Sequence, residues 1–277
     1  MLILIAVFLG VIQGLTEFLP VSSSGHLAAL QNLLFKDLLF FQKYSLSFDV
    51  ALHFATLIVI IVFFRKQLLK LIISTRFIFK RTKSSEDKES FNKILFIIIG
   101  SIPTAIIGLM IKEFIEEVIF NRIIYIGLFL LVTGGLMLLP YLRKTQDSYR
   151  KLNLLDAIII GVIQGFAVIP GISRSGSTIS GGLLRGLDKT EAFEFSFLLS
   201  IPAIAGATLL TVLDINFQEI TNEAVWIFLT GMAAGVAAGF VGVSLLSKVV
   251  KKNKLNIFSY YCFGFGFLLI ILSIVGL

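Results

Sequence analysis

Two short polar stretches interrupt long apolar runs and hold the side chains most able to do chemistry. The first contains Glu17, three serines at 22–24 and His26. A serine hydroxyl becomes a nucleophile when a neighbouring base takes its proton, and an imidazole suits that task. Because Ser23 and His26 are three residues apart at an expected helix start, we expect their side chains to meet. This pattern predicts a nucleophile and a proton acceptor, with Glu17 orienting His26 or binding a divalent cation.

The second stretch places an arginine inside an apolar region. Arg174 lies between Ser173 and Ser175. An arginine at membrane depth is costly and normally pairs with an anion, and its planar guanidinium suits phosphate oxygens. The alternatives are a structural ion pair with Glu17 or a side chain extended to the surface. We expect Arg174 to bind an anion at the tip of a hairpin.

The remaining candidates for binding lie beside these two groups. They are Gln13, Ser22, Ser24, Gly25, Gly171, Ser173, Ser175, Gly176 and Thr178. Gln13 precedes Glu17 by one helical turn and is neutral, so we expect it to position rather than to carry charge. Elsewhere, His53 follows Asp49 by four residues, and we interpret these two as a structural pair.

The spacing leaves a second chemical route open. His26 itself could attack and form a phosphohistidine, while Ser23 only donates a hydrogen bond. The serine route is our first hypothesis because His26 lies within one helical turn of Ser23.

Proline and glycine residues in both stretches indicate broken helices. Pro20 and Pro170 each lack a backbone N–H and end a first half-helix. The serines that follow can cap a second half-helix, whose free N–H groups favour anions. Gly25, Gly171 and Gly176 allow the backbone to approach a ligand closely. Two such helix starts that converge would bind a doubly anionic group.

The composition indicates where these half-helices lie. Of 277 residues, 57% are hydrophobic and only 15% are charged, and the mean hydropathy is +0.96. This composition excludes a water-soluble globule, a disordered chain and a nucleic-acid-binding module, because soluble domains are about a quarter charged. The net charge of +7 is typical of loops beside a membrane. The single cysteine, Cys262, allows no internal disulfide.

The apolar runs predict an all-α integral membrane protein with six full transmembrane helices. A helix needs roughly 20 apolar residues to cross the hydrocarbon. The six stretches lie at roughly 46–64, 91–111, 121–141, 192–213, 224–247 and 255–277. The basic loops, expected on the cytoplasmic side, are 65–93, 143–151 and 248–254. The acidic or acid-leaning loops, expected outside, are 112–122 and 214–223.

Two further segments, 1–45 and 152–191, must enter and leave on the same side if these assignments hold. We expect both to be re-entrant helical hairpins, one from each face of the membrane. Residues 10–14 repeat at 161–165, and 22–25 resemble 173–176. The hairpins therefore predict an inverted-topology repeat within one membrane domain, 1–277, with halves of about 1–142 and 152–277. In such folds the site lies where the broken helices meet.

Together these residues resemble a known family. Gln13-x-x-x-Glu17, the run at 20–26 and the run at 170–178 resemble the signatures of the undecaprenyl-diphosphate phosphatase family, an integral membrane phosphatase of the bacitracin-resistance type. The resemblance implies removal of the terminal phosphate from a polyprenyl diphosphate lipid, which recycles the carrier for cell-wall polymers. It also implies a plasma-membrane location and a divalent cation, Mg²⁺ or Ca²⁺. The family often has Glu where this chain has Gln13, which leaves one carboxylate fewer for a metal.

Within this resemblance, the site consists of Glu17, Ser23, His26 and Arg174. An inverted-repeat transporter or flippase of an anionic lipid or solute is the alternative, because it would share the architecture and could use Arg174 for binding. The expected partners are the lipid substrate and the bilayer, without nucleic acid. The sequence leaves open whether the protein forms a homodimer.

Overall fold

A computed structural model describes residues 1–35, 38–78, 85–115, 122–142 and 149–276. Helices dominate this described part of the chain, which contains no β-strand beyond an isolated bridge between Arg150 and Leu187. The predicted all-α class is confirmed. Parts of the predicted basic and acidic loops lie outside the described residues, at 79–84, 116–121 and 143–148.

Within the described residues, six helices are long and apolar enough to cross a membrane, as predicted. They are α3 (Leu39–Phe63), α5 (Ser85–Phe114), α6 (Ile123–Leu142), α9 (Lys189–Leu213), α10 (Asn222–Lys251) and α11 (Asn256–Ile274). Helix α3 begins seven residues before the predicted stretch at 46–64, and α5 begins six residues before the one at 91–111. The chain is a multi-pass membrane protein.

Besides one π-helix and two 3-10 helices, the described residues form five shorter α-helices. They are α1 (Leu2–Phe18), α2 (Ser23–Leu30), α4 (Arg65–Ser74), α7 (Leu154–Phe166) and α8 (Arg174–Leu184). At 1.5 Å per residue, α1 and α7 are about 26 and 20 Å long, less than the roughly 30 Å of hydrocarbon. Helix α1 ends two residues before Pro20 and α7 ends four residues before Pro170, and α2 and α8 begin three and four residues after these prolines.

Glycine contacts hold the two first half-helices against long helices. A Cβ at Gly10 of α1 would lie 2.1 Å from the carbonyl oxygen of Gly231 in α10. A Cβ at Gly161 of α7 would lie 2.1 Å from that of Gly100 in α5. The backbones therefore touch, which is how small residues pack helices tightly in membranes.

Aromatic packing anchors the inner end of α1. Phe18 is fully buried and stacks on Phe197 of α9, with ring centroids 5.9 Å apart. Phe64, directly after α3, stacks on the same ring at 5.7 Å. This cluster fixes the α1 backbone directly beside Glu17.

A buried carboxylate anchors the start of α7. Asp156 is fully buried and accepts two hydrogen bonds from Arg150, at 2.5 and 2.6 Å, and one from Arg185 at 2.9 Å. It also forms a capping box with Asn153. The bonds tie both ends of the α7–α8 segment together.

Candidate active site

A cavity of about 330 Å³ lies where the broken helices meet α3, α5 and α9. Its polar lining includes six of the residues predicted from sequence: Glu17, Ser22, Ser23, Ser24, Ser173 and Arg174. Apolar side chains from α3 and α9 cover much of the rest, among them Leu46, Val50, Ala203, Ile204 and Ala207. The cavity therefore joins a polar end to an apolar wall.

Glu17 is the hub of the polar end. Its Oε2 accepts a 2.5 Å hydrogen bond from the Ser23 hydroxyl and a 3.1 Å bond from the Gln13 amide. Its Oε1 pairs with Nη2 of Arg174. Gln13 is fully buried behind Glu17 and does not line the cavity, so it positions the carboxylate. A carboxylate that holds a serine hydroxyl this closely is placed to take its proton.

Arg174 has binding capacity that the protein does not use. Its Nη1 is buried and has no hydrogen-bond partner in the structure, although the side chain lines the cavity. A guanidinium nitrogen without a partner is costly in a buried site. An anion in the cavity would satisfy it, because the planar fork can bind two oxygens side by side. The ion pair between Arg174 and Glu17, which the sequence analysis gave as an alternative, is also present and uses Nη2.

The two second half-helices begin with the same cap. Ser22 caps α2 by accepting from the backbone of Gly25, and Ser173 caps α8 by accepting from that of Gly176, both at 3.2 Å. Ser22 Oγ also accepts a 3.0 Å bond from the backbone N–H of Gly171. One serine hydroxyl thus joins the two breaks.

Strained backbone accompanies this junction. Ser22 has φ of 67° and Gly171 has φ of 96°, conformations that L side chains rarely adopt. The Gly171 carbonyl accepts a 2.8 Å hydrogen bond from Thr133 of α6, whose hydroxyl also accepts from the Ser173 N–H at 3.0 Å. These bonds hold the connection between α7 and α8 in place, and strain of this kind clusters at functional sites.

His26 does not make the contact with Ser23 that the sequence predicted. It lies outside the cavity lining, where Nδ1 bonds the Ser22 carbonyl at 2.8 Å and Nε2 bonds the Tyr261 hydroxyl at 2.7 Å. Its ring stacks on Phe265 with centroids 4.5 Å apart. Since a carbonyl only accepts, Nδ1 donates to it, and in a neutral ring Nε2 accepts from Tyr261. The ring therefore braces the strained serine, and Glu17 occupies the position beside Ser23 that was predicted for His26.

Four predicted binding residues support the cavity from outside. Thr178 bonds the Arg174 carbonyl at 2.7 Å and contacts the Ser196 hydroxyl of α9, so it faces away from the cavity. Ser175 lies 3.3 Å from Ser173, hydroxyl to hydroxyl. Gly25 and Gly176 lie in the first turns of α2 and α8. These residues shape the helix starts and do not line the cavity.

The donor set does not fit a metal held by protein side chains alone. Within the described residues, no group of three or more histidine, cysteine, aspartate or glutamate side chains could hold a metal ion. Glu17, the predicted ligand, already accepts hydrogen bonds at both oxygens. Its neighbour Gln13 directs its amide nitrogen, a donor, toward Glu17.

Comparison with known proteins agrees with this geometry. A family profile described as "Bacitracin resistance protein BacA" matches residues 6–268. The chain belongs to the BacA family. It is similar to three proteins named undecaprenyl-diphosphatase. That of Methanosphaera stadtmanae is 39% identical over 99% of each chain. That of Carboxydothermus hydrogenoformans is 38% identical over 98% of this chain and 97% of its own, and that of Halothermothrix orenii is 39% identical over 96% of each.

Two residues that line this BacA-family site were interpreted in the sequence analysis only as a structural pair. Asp49 and His53 both line the cavity. His53 bonds the backbone carbonyl of Asp49, at 2.9 Å, while the Asp49 carboxylate accepts from Gln31 at 3.1 Å. Their spacing by four on an apolar helix places them on one face. That signal was present in the sequence, but it does not say which way the face points.

Proposed function

We propose that the chain hydrolyses undecaprenyl diphosphate, or a similar polyprenyl diphosphate, to the monophosphate and inorganic phosphate. The observation that carries the proposal is the buried, unpaired Nη1 of Arg174 beside the Ser23–Glu17 hydrogen bond. An anion-binding group next to a serine with a proton acceptor is what phosphoryl transfer to serine needs. Family membership and the printed names of the relatives support the same reaction.

The chemistry begins when the diphosphate takes Arg174 from Glu17. Oε1 of Glu17 is then released from its ion pair, while Oε2 keeps the Ser23 hydroxyl. Ser23 Oγ attacks the terminal phosphorus and its proton passes to Glu17. The bond from that phosphorus to the bridging oxygen breaks, and the lipid monophosphate leaves. Water then hydrolyses the phosphoserine, and Ser23 recovers its proton from Glu17.

The same proposal includes two re-entrant hairpins and an inverted repeat. Under the repeat, α1 corresponds to α7, and α5 corresponds to α10. The close glycine pairs follow this exchange, since α1 packs on α10 as α7 packs on α5. The matched serine caps of α2 and α8 support it as well. Each half would then supply one helix start to a site at the membrane midplane.

The apolar wall of the cavity suits the prenyl tail. If the basic loops are cytoplasmic, α3 enters from the outside at Leu39 and α9 ends outside at Leu213. The cavity lining includes Leu46 and Val50 of α3 and reaches Thr211 near the end of α9. The head group would therefore bind from the outer leaflet, with the tail between α3 and α9.

The divalent cation implied by the resemblance remains a proposal. Because the donor set does not form a protein cage, Mg²⁺ or Ca²⁺ would be carried mainly by the diphosphate oxygens. The steps above use only side chains of this chain.

Phosphate release tests the function. Purified protein in detergent should release phosphate from undecaprenyl diphosphate, and Ser23→Ala should not. A transporter or flippase, the alternative, would bind or move the lipid and release no phosphate. Release that is equal in the Ser23→Ala variant would point to a contaminating phosphatase and would count against the proposal.

Cysteine labelling tests the topology. A cysteine at Ser85 should be protected from an impermeant label in intact cells, and one at Asn222 should react. The unmodified protein is the control, since its single cysteine, Cys262, is fully buried. The reverse labelling pattern would invert the orientation and remove the argument for an outer-leaflet site.

A further inference from the structure

Two titratable groups of α3, Asp49 and His53, face the cavity in addition to Glu17. His53, halfway along α3, lines the same cavity as Ser23 and Arg174. The reaction proposed above uses no group on α3. It also leaves the bridging oxygen, which receives negative charge when the lipid phosphate departs, without a proton donor.

Hydrogen bonding fixes the protonation pattern of His53. Its Nδ1 lies 2.9 Å from the backbone carbonyl of Asp49. A carbonyl oxygen only accepts, so Nδ1 carries a proton in either charge state. No described residue hydrogen-bonds Nε2. That nitrogen accepts a proton when the ring is neutral and donates one when the ring is charged, which are the two states of an acid–base catalyst.

The charges around His53 come from three helices. Asp49 lies one turn earlier on α3, and Glu17 and Arg174 reach the same cavity from α1 and α8. Electrostatic interaction joins His53 to both carboxylates. Helices α5 and α9 contribute Thr104, Thr208 and Thr211 to the lining, which are uncharged. On α10, which also packs against α3, the charged groups Glu223, Lys248 and Lys251 lie in the first and last turns.

We propose that His53 is the general acid for the departing lipid phosphate and the general base for the water that follows. This inference rests on the proposed phosphatase function. In the first step Ser23 Oγ bonds to the terminal phosphorus, and Glu17 takes its proton. The phosphorus–oxygen bond on the other side breaks, its electron pair stays on the bridging oxygen, and Nε2 of His53 gives that oxygen a proton.

The second step restores both groups. Water enters where the lipid phosphate left, so it lies beside the now neutral His53. As the water oxygen bonds to phosphorus, its proton passes to Nε2, and the bond from phosphorus to Ser23 Oγ breaks. Glu17 returns its proton to Ser23. The enzyme ends in its starting state, with one water consumed and one phosphate released.

The test compares His53→Gln with wild type in purified protein, using undecaprenyl diphosphate and measuring kcat and kcat/KM across pH. Glutamine keeps a polar side chain of similar reach and removes proton transfer. We expect kcat to fall by at least about a hundredfold, the usual contribution of a positioned acid. Wild-type kcat/KM should fall as the pH rises and the imidazole loses its proton. This alkaline decline should be absent from the variant.

Phe54→Leu is the matched control. Phe54 is the next residue on α3, is 46% exposed and does not line the cavity, so its substitution should leave rate and pH profile unchanged. Thermal melting in detergent checks that each variant is folded. A His53→Gln protein with a wild-type rate and pH profile would overturn the inference. A wild-type kcat/KM that does not decline at alkaline pH would also overturn it, and this measurement requires only the wild-type protein. If wild type releases no phosphate, the proposed function fails instead.

Discussion

The Ser23 hydroxyl donates a 2.5 Å hydrogen bond to Glu17, six residues earlier and across the break between α1 and α2. This bond gives the serine a proton acceptor that sequence spacing alone assigned to His26. Gln13 and the ring of Phe18 hold the acceptor and its backbone in place.

Replacing Glu17 by glutamine should therefore remove the proton acceptor while keeping a hydrogen-bonding side chain. We expect kcat to fall by about a hundredfold or more, because general base catalysis typically contributes that much. The measurement is phosphate release at saturating lipid, with the folded state checked by melting temperature. A rate within a few-fold of wild type would assign the proton to another group.

Arg174→Lys keeps the positive charge but loses the planar fork. It should reduce kcat/KM by at least about tenfold, a change of roughly 1.4 kcal/mol in the barrier. Phosphate release at low substrate concentration measures it. Arg174→Ala should lower kcat/KM further. An unchanged rate in that variant would exclude Arg174 from the site.

Gln13→Glu tests the departure from the family pattern. The second carboxylate would lie against Glu17, where the amide now donates at 3.1 Å. We expect the variant to remain active but to depend more strongly on Mg²⁺ or Ca²⁺, since two facing carboxylates need a proton or a cation between them. EDTA titration of both proteins compares them. Loss of most activity at every cation concentration, in a folded variant, would argue that the neutral amide is required.

Asp156→Asn tests the anchor of the α7–α8 segment. The change leaves Arg150 and Arg185 without their shared anion, and breaking a buried pair costs about 3–5 kcal/mol. We expect the free energy of unfolding to fall by an amount near the lower limit, about 3 kcal/mol, because both arginine side chains are about one-third exposed and can reach water. The melting temperature in detergent should fall. Activity at low temperature should persist, since Asp156 does not line the cavity; an unchanged melting temperature would contradict the anchoring role.

Much of the fold was predictable because lipid imposes a simple rule. Each apolar run of about 20 residues forms a crossing helix, and Pro20 and Pro170 mark where shorter helices end. Glu17, Ser23 and Arg174 could be predicted for a related reason, since polar groups inside apolar segments are rarely present without a use.

The failures concern contacts between distant segments. His26 meets Tyr261, 235 residues later, and no local spacing encodes that pair. His53 and Asp49 share a helix face, but whether the face meets lipid, protein or a cavity depends on how α3 packs against α9 and α10. Local patterns therefore found the groups and missed some of their partners.

The most direct measurement of the central claim compares phosphate release by Ser23→Ala and His26→Ala with wild type, on undecaprenyl diphosphate in one detergent. If Ser23 attacks and His26 only braces the backbone, Ser23→Ala should lower the rate of phosphate release by at least about a thousandfold, as removal of a nucleophile does. His26→Ala should retain a measurable share of the rate. Near-normal turnover in Ser23→Ala, together with a folded but inactive His26→Ala, would contradict the account and make His26 the nucleophile.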